Sequence, residues 1–235
     1  AGSGYLRDSR ASIGAAGGPD IGPGADAALL RAPDGRIVAT TDTLVHGPDF
    51  RLAWSSGADL GWKAAAVNLA DVAAMGARPT GLLVALAMPA DTRLSFVRDL
   101  AAGLAACCDA LAPGCAVIGG DLTISSTLTI AVTALGSLEG RAPVLRSGAC
   151  VGDTVALAGS AGVAARGIDL LFSRFTDASG PVAVDRGSLE PAELRALDAQ
   201  LRPSPPIAAG AAAADAGATA MMDVSDGLAL DATRL

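Results

Sequence analysis

Apolar and polar residues follow two different periods along this chain. From Gly57 to Gly76 the period is helical: Leu60, Ala64, Val67, Asp71 and Ala74 share one face. Ser55 or Ser56 suits the start of this helix, and Gly76 followed by Pro79 suits its end. A second helical period covers Leu94–Leu111 and breaks at Pro113-Gly114. Shorter β-branched or apolar runs predict strands at Arg36–Val45, Thr80–Met88, Cys115–Asp121 and Leu128–Leu135. Strands alternating with helices over 58–75 and 94–111 predict an α/β (α+β) fold, with both helices packed on one sheet.

The pattern changes near Val151, which divides the chain into an arm (1–20), a first domain (21–150) and a second domain (151–235). The Gly/Ala/Ser-rich arm reads as flexible. In the second domain Asp153–Gly159 reads as a strand, Val163–Phe172 as a helix and Ser173–Pro191 as a polar loop. Pro203-Ser204-Pro205-Pro206 leads into an alanine-rich helix, and Met221–Gly227 reads as a short strand running into a capped helix.

Composition narrows the function. Half of the 235 residues (51%) are apolar and only 3% aromatic, which suits close, alanine-rich packing. A net charge of -7 without any basic cluster argues against nucleic acid and against an anionic membrane surface. No apolar run is long enough to span a bilayer, and no signal-peptide pattern opens the sequence. Cys107, Cys108, Cys115 and Cys150 form no CxxC pair, which suits a reduced, cytoplasmic protein. Lys63 is the only lysine, so the Gly-Lys-Ser/Thr phosphate loop is absent. His46 is the only histidine and no serine or cysteine motif accompanies it, so a hydrolase triad has little support.

The candidate chemistry lies in the aspartates. Asp71 interrupts an apolar helix face, where a carboxylate costs several kcal/mol unless a cation or donor meets it. An arginine, backbone donors or a metal ion would each serve. Asp42 stands in a strand among Thr40, Thr41 and Thr43, oxygen donors of the kind magnesium accepts. Asp26 follows Gly22-Pro23-Gly24, either as a turn former or as a cation ligand beside a phosphate-binding loop. Asp121 follows Gly119-Gly120, which reads as a strand-end turn or as a place of close backbone approach. Helix capping by Ser225 or Asp226 explains one acid of the Asp223–Asp226 pair but not both. Arg141 and Arg146 suit anion binding or a solvated surface. Carboxylates converging without lysine suit magnesium ions that hold a polyphosphate, and phosphoryl transfer needs little beyond positioning and charge neutralisation.

The blocks TTDTLV, KAAAVNLADVAAMGARP, IGGD, GRAPVLRSGA followed by GD, LRPSP and DVSDGL resemble, in this order, the thiamine-monophosphate kinase family. That family belongs with the aminoimidazole ribonucleotide and selenophosphate synthetases. The resemblance runs from about Gly22 to Leu235. It implies a first domain whose mixed sheet pairs into a barrel in a homodimer, then a partial C-terminal α/β domain. It implies transfer of phosphate from ATP to thiamine monophosphate, giving thiamine diphosphate, with Mg2+. Carried over, Asp26, Thr40, Thr41, Asp42, Asp71, Asp121, Asp223 and Asp226 match metal positions. Gly120, Asp121, Arg146 and Ser225 match nucleotide positions. Departures are Gly24-Ala25-Asp26 in place of Gly-Asp-Asp, and LTISS without the family's arginine. Asp49 stands where a substrate-contacting histidine is usual, with His46 three residues earlier as the other candidate. The sequence ends at Leu235, ahead of the family's later Gly-Gly-Glu-Asp block and aromatic contact. The competing expectations are a nucleotide-binding relative or fragment without kinase activity, and an ATP-dependent member acting on another substrate.

Overall fold

The computed structural model describes residues 27–235; the arm and Asp26 lie outside them. Four strands form one mixed sheet: β1 (Val38–Val45), β2 (Arg78–Met88), β3 (Val117–Ile124) and β4 (Thr129–Ser137). Their order is β1-β4-β2-β3; β4 runs antiparallel to both neighbours, and β2 and β3 are parallel. Helices α1 (Gly57–Ala74) and α2 (Leu94–Leu111) pack on one face, as the periods predict.

The ends of α1 follow from its sequence. Ser56 and Asp59 form a reciprocal capping box, each side chain accepting the other's backbone N–H. After the helix, Gly76 takes the left-handed conformation (φ 76°) that closes the last turn. The two helices meet through glycines: a Cβ on Gly61 would collide with the Leu100 carbonyl, and one on Gly103 with that of Ala58. Leu82, Leu86, Ile130, Val132 and Ala134 fill the core beneath them. On the opposite face the sheet has no helical cover among the described residues. Leu83 lies exposed there, and Leu122 (63%) and Ile124 (76%) stand out at the β3 edge.

A second, smaller core joins α3 (Val163–Arg174) and α4 (Pro191–Leu201) around Leu171 and Leu197. Trp54, from the loop before α1, packs into it and donates to the Phe175 carbonyl (3.0 Å). The sequence reading had not anticipated α4, although Pro191 at its first turn and the Glu190/Glu193 capping box mark its start. Within the supposed polar loop, β5 (Thr176–Asp177) and β6 (Gly180–Pro181) make a two-stranded hairpin. The alanine-rich helix is α5 (Ile207–Asp215), whose Gly210 lies against the Ala73 carbonyl. A short α6 (Leu228–Ala232) follows.

Two expected strands are absent. Residues 153–159 and 221–223 form neither helix nor strand. A strand needs a partner for its backbone groups, and no described segment pairs with either stretch; Val155 is 82% exposed. Among the described residues no helix is long and apolar enough to cross a membrane.

Candidate functional site

Strand alternation decides which β1 side chains reach α1. Thr40 and Asp42 pair in register with the buried Ala134 and Val132 and face the helix. Thr40 Oγ1 donates to Asp71 Oδ2 at 2.8 Å. The Asp42 backbone N–H donates to Asn68 Oδ1 at 3.1 Å, and Asn68 Nδ2 donates to the Ala64 carbonyl at 2.9 Å. Thr41 faces the other side of the sheet, where its hydroxyl donates to the Val132 carbonyl and accepts from Thr133.

Asp71 is therefore partnered by a hydroxyl rather than by a cation. Its carboxyl is pushed up to about 6. Burial is the main cause, the Thr40 hydrogen bond opposes it, the charges of Asp223 and Asp42 add to it, and Arg146 offsets part. Asp223 is raised too, chiefly by burial, with its own backbone N–H opposing, Asp231 and Asp42 adding and Arg146 offsetting. Asp42, Asp71, Asp223 and Arg146 are thus within electrostatic reach of one another.

The DVSDGL stretch is held differently from the expected capping. Gly227, not Ser225 or Asp226, precedes α6. The buried Asp231 carboxylate reaches back and accepts the N–H groups of Ser225, Asp226 and Gly227 at 2.9–3.1 Å. Asp226 pairs with Arg234 (2.9 Å). Sequence reading missed both Asn68 and Asp231, although each sits inside a quoted block or one helical turn beyond it.

Asp121 stands apart from the group. The row Asp42–Val132–Val84–Gly120 crosses the whole sheet, and Asp121 occupies the next row, beside Ala85. Three strand spacings, about 14 Å, separate the β1 and β3 edges. Gly120 is explained by packing, since a Cβ there would collide with the Val84 carbonyl.

A shallow cleft opens farther along α1. Asp49, Arg51 and Trp54 line it from the loop, Lys63 from α1, and Phe172 from α3. Trp54 and Phe172 meet edge to face at 5.0 Å. Burial holds the Lys63 ammonium below its ordinary range, and the charge of Asp49 partly restores it. Asp49 also accepts from Val45 N (2.7 Å) and closes its turn. His46 lies outside the cleft, with its ring 5.5 Å from that of Phe50.

Among the described residues no three His, Cys, Asp or Glu side chains stand close enough to hold a metal ion alone. Hard oxygen donors beside unneutralised carboxylates nonetheless fit magnesium, which commonly takes one or two carboxylates and completes its shell with water and phosphate oxygens.

Residues 24–138 match the N-terminal domain of the AIR synthase related proteins. A thiamine-monophosphate kinase of Mycobacterium tuberculosis is 44% identical over 211 residues, covering 90% of this chain and 58% of the relative. The crystal structure of thiamine-monophosphate kinase from Stenotrophomonas maltophilia superposes with a TM-score of 0.79 at 34% identity, covering 95% of this chain and 67% of that one. This chain belongs to the thiamine-monophosphate kinase family. AaThiL complexed with AMPPCP and TMP superposes with a TM-score of 0.74 at 32% identity, over 89% of this chain and 62% of that one. The chain therefore spans about three-fifths of the length of these family members, 58% and 62% in the two cases given. The mixed α/β architecture is that of the family's solved structures.

Proposed function

We propose that this protein transfers the terminal phosphoryl group of ATP to thiamine monophosphate, forming thiamine diphosphate and ADP. The observation that carries the reading is the Asp42–Asp71–Asp223 group facing Arg146, in a chain of this family. Magnesium bound there would neutralise and align the phosphate oxygens. Asp71 and Asp42 would hold it together with water and phosphate oxygens, with the charge of Asp223 nearby and the Thr40 hydroxyl orienting Asp71. Arg146 draws the nucleotide phosphates. Asp26, Thr41, Asp226, Gly120 and Ser225 keep their metal or nucleotide roles on the resemblance alone.

The acceptor's rings occupy the cleft, against Trp54 and Phe172 and beside Asp49 and Lys63. Lys63 and Asp71 are eight residues apart on α1, about 12 Å along its axis. A two-ring phosphate ester laid along the helix extends from the cleft to the carboxylates.

The functional unit is a homodimer. The uncovered sheet face carries the exposed Leu83 and, at the β3 edge, Asp121, and pairing with a second copy buries it. Asp121 is too far from its own chain's Asp42 to share an ion with it; its assignment to the second copy's site is a proposal that mixed dimers test.

The test is ADP release from Mg-ATP with and without thiamine monophosphate. Release that requires both the acceptor and magnesium supports the proposal. Binding of Mg-ATP without release would make this a nucleotide-binding relative. Release only with another acceptor would make it a different ATP-dependent enzyme of the superfamily.

A further inference from the structure

Two hydrogen bonds tie β1 to α1, and they form a ladder of side chains. Thr40 and Asp42, two residues apart on the strand, meet Asp71 and Asn68, three apart on the helix. Residues at that helical spacing are neighbours on one face. One rung uses the Asp71 carboxylate itself. The other uses Asn68, which is 1% exposed and donates from Nδ2 to the Ala64 carbonyl.

Among the described residues β1 is an edge strand, paired only with β4. The Asp42 N–H is directed to Asn68 and away from β4, on the side where no described strand lies. Asn68 therefore does for Asp42 what a neighbouring strand does elsewhere in a sheet. Of the two rungs, only this one leaves every carboxylate oxygen free. A cation that takes Asp71 competes with Thr40 for that carboxylate, but does not compete with Asn68.

We infer that Asn68 is a positioning residue: it locks the Asp42 backbone to the helical turn carrying Asp71 and so sets the spacing of the two carboxylates for a divalent cation. This rests on the cation reading proposed above.

The experiment measures Mn2+ binding to the whole chain by electron paramagnetic resonance, and amide hydrogen exchange without metal. In the unsubstituted protein the Asp42 amide should exchange more slowly than those of Thr40 and Leu44. Asn68→Ala should accelerate Asp42 exchange and weaken Mn2+ binding by about tenfold or more, the usual effect of losing a residue that orients a ligand. Thr80→Val is the control. It removes another partly buried hydroxyl bond in the same sheet, to the Leu135 carbonyl, and should leave Mn2+ affinity unchanged. Should Asn68→Ala fail to fold, Asn68→Ser, whose hydroxyl is too short to span the gap, gives the same readings. Unchanged Mn2+ affinity in a folded Asn68 variant, or fast Asp42 exchange in the unsubstituted protein, overturns the inference. Equal Mn2+ binding by the unsubstituted protein and Asp71→Asn instead overturns the cation reading, while Asp42 exchange still reports on the clamp.

Discussion

Thr40 Oγ1 holds Asp71 Oδ2 at 2.8 Å, so the aspartate on the apolar face of α1 is met by a neutral hydroxyl and not by an arginine. A structural ion pair would have lowered the carboxyl's pKa; burial and two neighbouring acids raise it instead. The site carries more negative charge than its protein partners neutralise. That is a stability cost in the free protein and an attraction for a cation.

This cost has a defined pH dependence. Asp71 is raised from 3.8 to about 6, so the fold favours its protonated form, and its contribution to stability is lost as pH rises through that window. The full shift corresponds to ~3 kcal/mol, which solvent screening of this half-exposed group reduces to about 1 kcal/mol. Asp71→Asn should therefore stabilise the ligand-free protein by that amount at pH 7 and by nothing at pH 3. It should also abolish the thermal shift given by Mg-ATP. Melting curves at both pH values, with and without Mg-ATP, check this. Destabilisation at pH 7 with the Mg-ATP shift intact would mean that Asp71 is a structural residue.

Much of this was legible in the sequence because period and composition are local signals. The interruption of an apolar helical stripe singled out Asp71, and misplaced polarity in a β-branched run singled out Asp42. Partnership is not a local signal. The stretch 153–159 has strand composition, yet without a partner it stays irregular and exposed. Asn68 reads as one more polar residue in a helix until β1 is seen to be an edge strand. Asp121 reads as another acid of the same group until the strand order places it at the far edge.

Asp231 supports the 225–227 turn from within. Asp231→Ala removes the acceptor for three backbone N–H groups and one partner of Arg234. The expected cost is about 2–4 kcal/mol, as for other buried, charged acceptors. Hydrogen exchange should accelerate at Ser225, Asp226 and Gly227 before it does in α1. Unchanged exchange at those amides would show that the turn holds itself.

The cleft separates the two candidates for acceptor contact. Asp49→Ala and Lys63→Met should raise KM for thiamine monophosphate while Mg-ATP affinity stays within about twofold, because removing a ground-state contact to one substrate acts on that substrate's binding. His46→Ala should change neither. A raised KM for His46→Ala alone would move the acceptor out of the cleft.

Asp121 gives the most decisive test, because its distance from Asp42 within one chain is set by the strand order. Asp71→Asn and Asp121→Asn should each be inactive as homodimers. If a site draws Asp71 from one copy and Asp121 from the other, a mixed dimer concentrates both substitutions in one site and leaves the second intact. Random mixing of equal amounts makes half the dimers mixed, each with one working site of two, so about a quarter of full activity returns. If both residues served the same chain's site, every site in every dimer would carry one substitution, and no activity would return. Activity measured after refolding the two variants together, beside each refolded alone, distinguishes the arrangements. Absence of recovery from verified mixed dimers would reject the shared site and leave the β3 edge with a role of its own.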